Sequence, residues 1–212
     1  MVSFIRGCYR GPMSTEVPAR RYAKGEAKRR QILIAALAVV ARHGYRNSTL
    51  QEIADAVGLT KAGVLHYFDS REDLMAQVLR ERDAHDGTAY TPADGDSLTQ
   101  LGRTVEHNGS VPGLVQLYSQ VVIEAEAPEH PAHAFVRDRY GALVASLAEG
   151  VRRRQRAGTA GPDLDPVAVA RIAIALSDGL QLQWLHDQSL DMSGVFDTAM
   201  DLVLEARPPR AS

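Results

Sequence analysis

An all-α fold of about nine helices is what this sequence predicts, and three observations predict it. Apolar residues recur at spacings of three and four along almost the whole chain, which is the helical period. Sustained apolar–polar alternation, the mark of a half-buried strand, is hard to find. The stretches that interrupt the helical period carry glycine and proline, as in Asp86 to Asp96 and Ala157 to Pro166.

Each element follows from local signals. Residues 1–20, with Gly7, Gly11, Pro12 and Pro18, read as a flexible arm. Ile32, Ala35, Ala36, Val39 and Val40 form the stripe of a helix from about Gly25 to His43, which Gly44 ends. Leu50, Ile53, Ala54 and Val57 make a second stripe capped by Thr49, and Gly58 closes it. Thr60 can cap a third helix running to Phe68. Asp69 or Ser70 can cap a fourth, whose buried face is Leu74, Met75, Val78 and Leu79. After the Asp86 to Asp96 loop, periodicity resumes at Leu98, Leu101 and Val105 and breaks at Asn108 and Gly109. Further helices are expected from about Val111 to Ala127, Ala132 to Arg156, Pro166 to Asp187 and Ser193 to Ala206.

Composition narrows the function. The 212 residues suffice for one large domain, or for a small domain joined to a medium one. Cys8 is the single cysteine, which excludes a disulfide framework and a cysteine-based zinc site and suits a reducing cytoplasm. The longest apolar runs, such as Ile32 to Ala41, fall short of the roughly 20 residues of a membrane span. No apolar stretch follows Arg6 and Arg10 to serve as a secretory signal. The net charge of −2 hides a division: residues 1–68 carry 11 Lys/Arg against 4 Asp/Glu, and residues 69–212 carry 13 against 22. A basic N-terminal block suggests a polyanionic partner, although a solvated helix face explains the same charges.

Two short helices joined by a glycine-containing turn form a helix-turn-helix, and Thr49 to Phe68 (TLQEIADAVGLTKAGVLHYF) has that form. Leu50, Ile53, Ala54, Val57, Leu59, Val64 and Phe68 can bury the inner faces, leaving Lys61, Ala62, His66 and Tyr67 on or near the outer face of the second short helix. A helix of this width fits the major groove of B-DNA. Thr49 and Thr60 stand at helix N-termini, where backbone N–H groups favour a phosphate oxygen. Lys24, Lys28, Arg29 and Arg30 can neutralise backbone phosphates without reading sequence.

On these residues the segment from Gly25 to about Arg82 resembles the DNA-binding domain of TetR family regulators. The resemblance rests on QILIAALAVVARHGYRNSTLQEIADAVGLTKAGVLHYFDSREDL: a His-Gly-aromatic element, then Thr, then Ile-Ala-x-x-x-Gly-Leu-Thr, an aromatic-rich end and Ser-Arg-Glu-x-Leu. It implies a DNA-binding domain over 21–82, a helical ligand-binding and dimerisation domain over 83–212, and DNA contacts from Gln51, Thr60, Lys61, Ala62, His66, Tyr67 and Arg71. The family usually has tyrosine where this chain has Leu65, and a second aromatic where it has His66. Tyr67 or His66 would then take over the tyrosine's contact, with Leu65 read as core packing.

For the C-terminal two-thirds, the resemblance implies a ligand pocket and a homodimer interface made by the last two long helices. Ile172, Leu176 and Leu180 on the first of these, with Val195, Ala199, Leu202 and Val203 on the second, are the candidate interface stripes. An intramolecular core explains the same stripes, but a lone domain would read only half an operator, which favours the dimer. Tyr118, Phe135 and Trp184, with Gln181 one turn from Trp184 and the apolar Leu101, Val105 and Val122, are candidate pocket residues.

The function implied is a sequence-specific repressor, released from operator double-stranded DNA by an unidentified small-molecule effector. Activation in place of repression, a ligand-free architectural DNA-binding protein and a helical enzyme stay open. No catalytic constellation, cofactor, metal or membrane partner is expected: there is no glycine-rich phosphate loop, no Gly-x-Ser-x-Gly and no HExxH. Glu129, His130 and His133 are read as capping or surface groups, and Arg152, Arg153, Arg154 and Arg156 as the solvated, dipole-favoured end of a helix.

Overall fold

The structure, a computed structural model, describes residues 16–89 and 95–205, with side chains placed over 23–84 and 95–205. Among the described residues there are nine helices and no strand. They are α1 (Glu16–His43), α2 (Leu50–Ala56), α3 (Lys61–Leu65), α4 (Arg71–Ala89), α5 (Ser97–Asn108), α6 (Pro112–Glu124), α7 (His133–Arg156), α8 (Pro166–Trp184) and α9 (Met192–Glu205).

Two boundaries differ most from expectation. Helix α1 begins at Glu16 and passes through Gly25, so the expected arm is helical over 16–20, and its remainder, 1–15, lies outside the described residues. Pro18 sits in the first turn, where its missing N–H is no loss. Helix α4 continues to Ala89, through part of the expected Asp86 to Asp96 loop, of which 90–94 lie outside the described residues.

Two apolar cores organise the chain. The first joins α1, α2, α3 and α4 to one face of α6 through Ile32, Val40, Ile53, Val64, Phe68, Leu74, Val78, Leu117 and Val121. Leu74, Met75, Val78 and Leu79 are fully buried, as the sequence predicts. At about 2 kcal/mol per side chain this face holds α4 far more firmly than a cap worth about 1 kcal/mol. The second core packs α5, α7, α8 and α9 through Leu98, Val105, Leu147, Val151, Ala173, Trp184 and Phe196. Helix α6 is the wall between them: Leu117 faces the first core and Val115 the second. It can lie there because Gly113 has no side chain. A Cβ at Gly113 would collide with the Val40 carbonyl and come within 2.8 Å of the Ala41 carbonyl oxygen.

The boundary expected between 82 and 83 falls inside α4. This helix runs from the α2–α3 unit to the cavity wall without a break. The arginine run at the end of α7 is also more than a solvated end. Arg154 donates to Asp96 Oδ2 at 2.8 Å and to Thr99 Oγ1 at 3.1 Å, and Arg153 donates to the Gly95 carbonyl at 2.8 Å. Although burial opposes it, the bonds from Arg154 and the Thr99 N–H hold the Asp96 carboxyl below its ordinary range. The run therefore pins the start of α5 to the end of α7.

Candidate functional site

The α2–α3 unit is built by local bonds. Thr49 Oγ1 accepts from the Glu52 N–H at 3.2 Å, and Glu52 Oε2 accepts from the Thr49 N–H at 2.9 Å, closing a capping box. The Thr49 N–H, helped by its hydroxyl, holds the exposed Glu52 carboxyl below its ordinary range. Gly58, at φ +66°, turns the chain between the helices. Thr60 Oγ1 then accepts from the Gly63 N–H at 3.0 Å and starts α3.

Helix α3 ends at Leu65, one turn before the expected Phe68. Val64 and Phe68 are buried beneath it, while Lys61, Ala62, Leu65 and His66 are exposed on one outward face. Leu65 is thus not the core residue expected: it is 42% exposed, because burying Val64 turns its neighbour outward. Tyr67 goes the other way. It is half-buried against the first core, with its ring edge-on to His66 at 5.4 Å between centroids.

The remaining expected DNA-contacting residues divide similarly. Thr49, Gln51 and Thr60 are exposed, Gln51 Nε2 donating to Asp55 Oδ1 at 2.7 Å. Two cations are instead tied inward. Lys28 Nζ donates to the Val57 carbonyl at the end of α2 at 2.7 Å. Arg71 donates to the Tyr45 carbonyl at 2.7 Å and the Ser48 carbonyl at 3.3 Å, and lies 4.6 Å over the Tyr45 ring. Arg29 bonds Gln77 and stacks on Phe68, so it too is engaged, whereas Lys24 and Arg30 are exposed, Arg30 with Glu81 3.8 Å away.

In the body, α4, α5, α6, α7 and α8 enclose a cavity of about 390 Å³. Of the expected pocket residues, Leu101, Tyr118, Phe135 and Gln181 line it. Val105 and Trp184 are buried in the second core and Val122 packs on the first, so none of these three lines the cavity. Sequence reasoning missed the charged lining: Arg82, Asp83, Arg139 and Asp178.

Those charges are wired into two chains, and each runs from α4 to α8. In one, Arg82 donates to the Leu114 carbonyl at 3.0 Å and to Asn108 Oδ1; Asn108 Nδ2 donates to Gln181 Oε1 at 3.1 Å, and Gln181 bonds back to Ser177. In the other, Arg139 is ion-paired with Asp83 and lies 4.8 Å over the Tyr118 ring. Tyr118 donates to Asp178 Oδ1 and Tyr140 to Asp178 Oδ2, both at 2.8 Å. Burial, reinforced by Asp178, raises both phenols above their ordinary pKa, so they stay protonated donors. Burial works against the charge on Arg139, but the paired Asp83 carboxylate outweighs it and raises its pKa.

A third feature is apolar and outward. Ile172 and Leu182 on α8, with Val195 and Leu202 on α9, are exposed, Leu202 at 68%. Of the stripes expected to meet a second copy, Ile172, Val195 and Leu202 are exposed and Ala199 is half-buried. Leu180 is buried in the chain's own core, and Leu176 and Val203 are packed against that core. The two histidines beside Pro131 cap the α6–α7 connection: His130 Nδ1 accepts from the Ala132 N–H at 3.1 Å, and His133 Nδ1 lies 2.8 Å from the Ala125 carbonyl oxygen.

A helix-turn-helix with an outward second helix, continuous through α4 with an all-helical body, is an architecture that suits a helix-turn-helix transcriptional regulator. Known proteins agree. The pattern described as bacterial regulatory proteins, tetR family, matches residues 32–78. The HTH-type transcriptional regulator TtgR of Pseudomonas putida is 26% identical over 208 residues, 87% of this chain and 94% of its own. Among solved structures, a TetR family regulator from Agrobacterium tumefaciens superposes with a TM-score of 0.66 at 21% identity, over 86% of this chain and all of its own. The regulator FadR from Bacillus subtilis, solved with stearoyl-CoA, gives 0.58 at 16% identity, over 82% and 96% of the two chains. Together these matches support a TetR family transcriptional regulator.

Proposed function

We propose that this protein is a repressor that grips operator DNA as a homodimer and is released by a small molecule bound in the cavity. The N-terminal unit, 21–82, would read the DNA; the remainder, 83–212, would hold the ligand and the partner copy. The observation that carries the reading is the double role of α4: it packs in the first core through Leu74 to Leu79, and it supplies Arg82 and Asp83 to the cavity wall. A ligand that competes for Arg139 or Tyr118 changes what holds α4, and α4 packs on α1 in the same apolar core that seats α2 and α3.

The outward residues Thr49, Gln51, Thr60, Lys61, Ala62 and His66 are the proposed DNA contacts. Lys28, Tyr67 and Arg71 contribute by holding the unit's shape. In a two-fold dimer the two α3 helices would enter successive major grooves about 34–36 Å apart. The exposed Ile172, Leu182, Val195 and Leu202 supply the self-complementary face that such a dimer needs. Leu101, Tyr118, Phe135 and Gln181 are the proposed ligand contacts, in a cavity within the range of small-molecule sites. The FadR complex with stearoyl-CoA supports a ligand-binding role for this fold. Release requires only that the ligand favour the state that fits DNA poorly.

The test is a compound screen by thermal shift, followed by titration of each stabilising compound into a complex of the protein with its selected DNA. Compounds whose stabilisation disappears in Leu101→Trp, which fills the cavity, are expected to dissociate the complex. Cavity-dependent binders that leave DNA affinity unchanged would contradict release by ligand.

A further inference from the structure

Helix α3 presents an unusual side chain at its last residue, Leu65. Lys61, Ala62, Leu65 and His66 share the outward face, and two of these four, Ala62 and Leu65, have no hydrogen-bonding group. They lie one turn apart, so they form a short apolar strip flanked by a cation on one side and an imidazole on the other. No backbone twist forces Leu65 outward: Val64 and Phe68 fill the inner face completely, and α3 is regular through Leu65.

On the DNA-reading proposal made above, this strip faces the major groove. Base edges there offer donors and acceptors at every pair, and the C5-methyl of thymine is the one apolar group among them. A leucine pressed on polar edges strips their water and returns no hydrogen bond. Pressed on a methyl it loses nothing and removes apolar surface from water. The surplus of positive charge in residues 1–68 favours a nucleic acid over an apolar protein surface as the occupant of this face.

We infer that Leu65 is a specificity-determining residue that reads the C5-methyl of a thymine in each operator half-site. Its contribution is positional. Lys61, as a charge, would strengthen binding to all sequences alike, whereas Leu65 sets the preference at one base pair.

The experiment uses the full-length chain and duplexes selected by it from a random-sequence pool. Each thymine of a half-site is replaced in turn by deoxyuridine, which deletes only the methyl. At one position per half-site the wild-type protein should lose about five- to tenfold in affinity. Leu65→Ala should bind the thymine and uridine duplexes equally at that position and keep the wild-type penalty elsewhere. Because Leu65 is outward, its far-UV circular dichroism and melting temperature should match the wild type. Uridine tolerated at every position by the wild type, or the same uridine penalty in Leu65→Ala, would overturn the assignment. If selection enriches no sequence, the operator-binding proposal itself fails and Leu65 falls with it; enrichment without methyl dependence leaves operator binding standing and removes only Leu65.

Discussion

The two halves of this molecule use polar side chains in opposite ways. Within α2 and α3 themselves the polar bonds are local, as in Thr49 with Glu52, Thr60 with Gly63 and Gln51 with Asp55, three or four residues apart. The longer bonds of Lys28, Arg29 and Arg71 lie behind them on the inward side. The local bonds shape the helices and leave the outer face of α3 unspent. In the body the polar bonds reach across helices. Asp83 meets Arg139, Tyr118 meets Asp178, and Asn108 meets Gln181, partners separated by 56, 60 and 73 residues. These bonds hold five helices around a cavity. Recognition of a rigid duplex calls for a preformed surface, and response to a ligand calls for contacts that a ligand can rearrange.

The largest effect that could break this comparison is in the body. Arg82→Met removes the donor from two buried acceptors, the Leu114 carbonyl and Asn108 Oδ1. It should cost about 3 kcal/mol in urea denaturation, since each buried group left unsatisfied costs about 1–3 kcal/mol. A smaller effect is expected in the N-terminal unit. Thr49→Ala deletes the capping box and should cost about 1 kcal/mol. Equal costs for the two variants would mean that the long-range chains hold the body no more firmly than a cap holds α2.

The same division decides what was legible in the sequence. Local bonds have local signals: Thr49 and Thr60 were identifiable as caps, Gly58 as a turn, and Leu74, Met75, Val78 and Leu79 as a buried face. The helix-turn-helix was visible for that reason, and so was the family. The expected start of α1 at Gly25 failed because a single glycine weakens a helix without ending it. Leu65 was misplaced because α3 is too short for a periodic pattern to assign its faces. In the cavity, Leu101, Tyr118, Phe135 and Gln181 could be named from size and spacing. Arg82, Asp83, Arg139 and Asp178 could not, because a charged residue on a helix reads as solvated until its distant partner is known. Asp178, between Ser177 and Gly179, carries no local sign that two tyrosines 60 and 38 residues away donate to it.

The measurement that tests the account most directly is a fluorescence anisotropy titration of selected DNA and a scrambled duplex at two salt concentrations. It compares the wild type with Lys61→Ala/His66→Ala, two outward residues that support no core. The wild type should prefer the selected duplex at both salt concentrations. The double variant should melt like the wild type yet bind that duplex at least about tenfold more weakly, about 1.4 kcal/mol. A folded double variant that binds with unchanged affinity would contradict the claim that the outer face of α3 reads DNA.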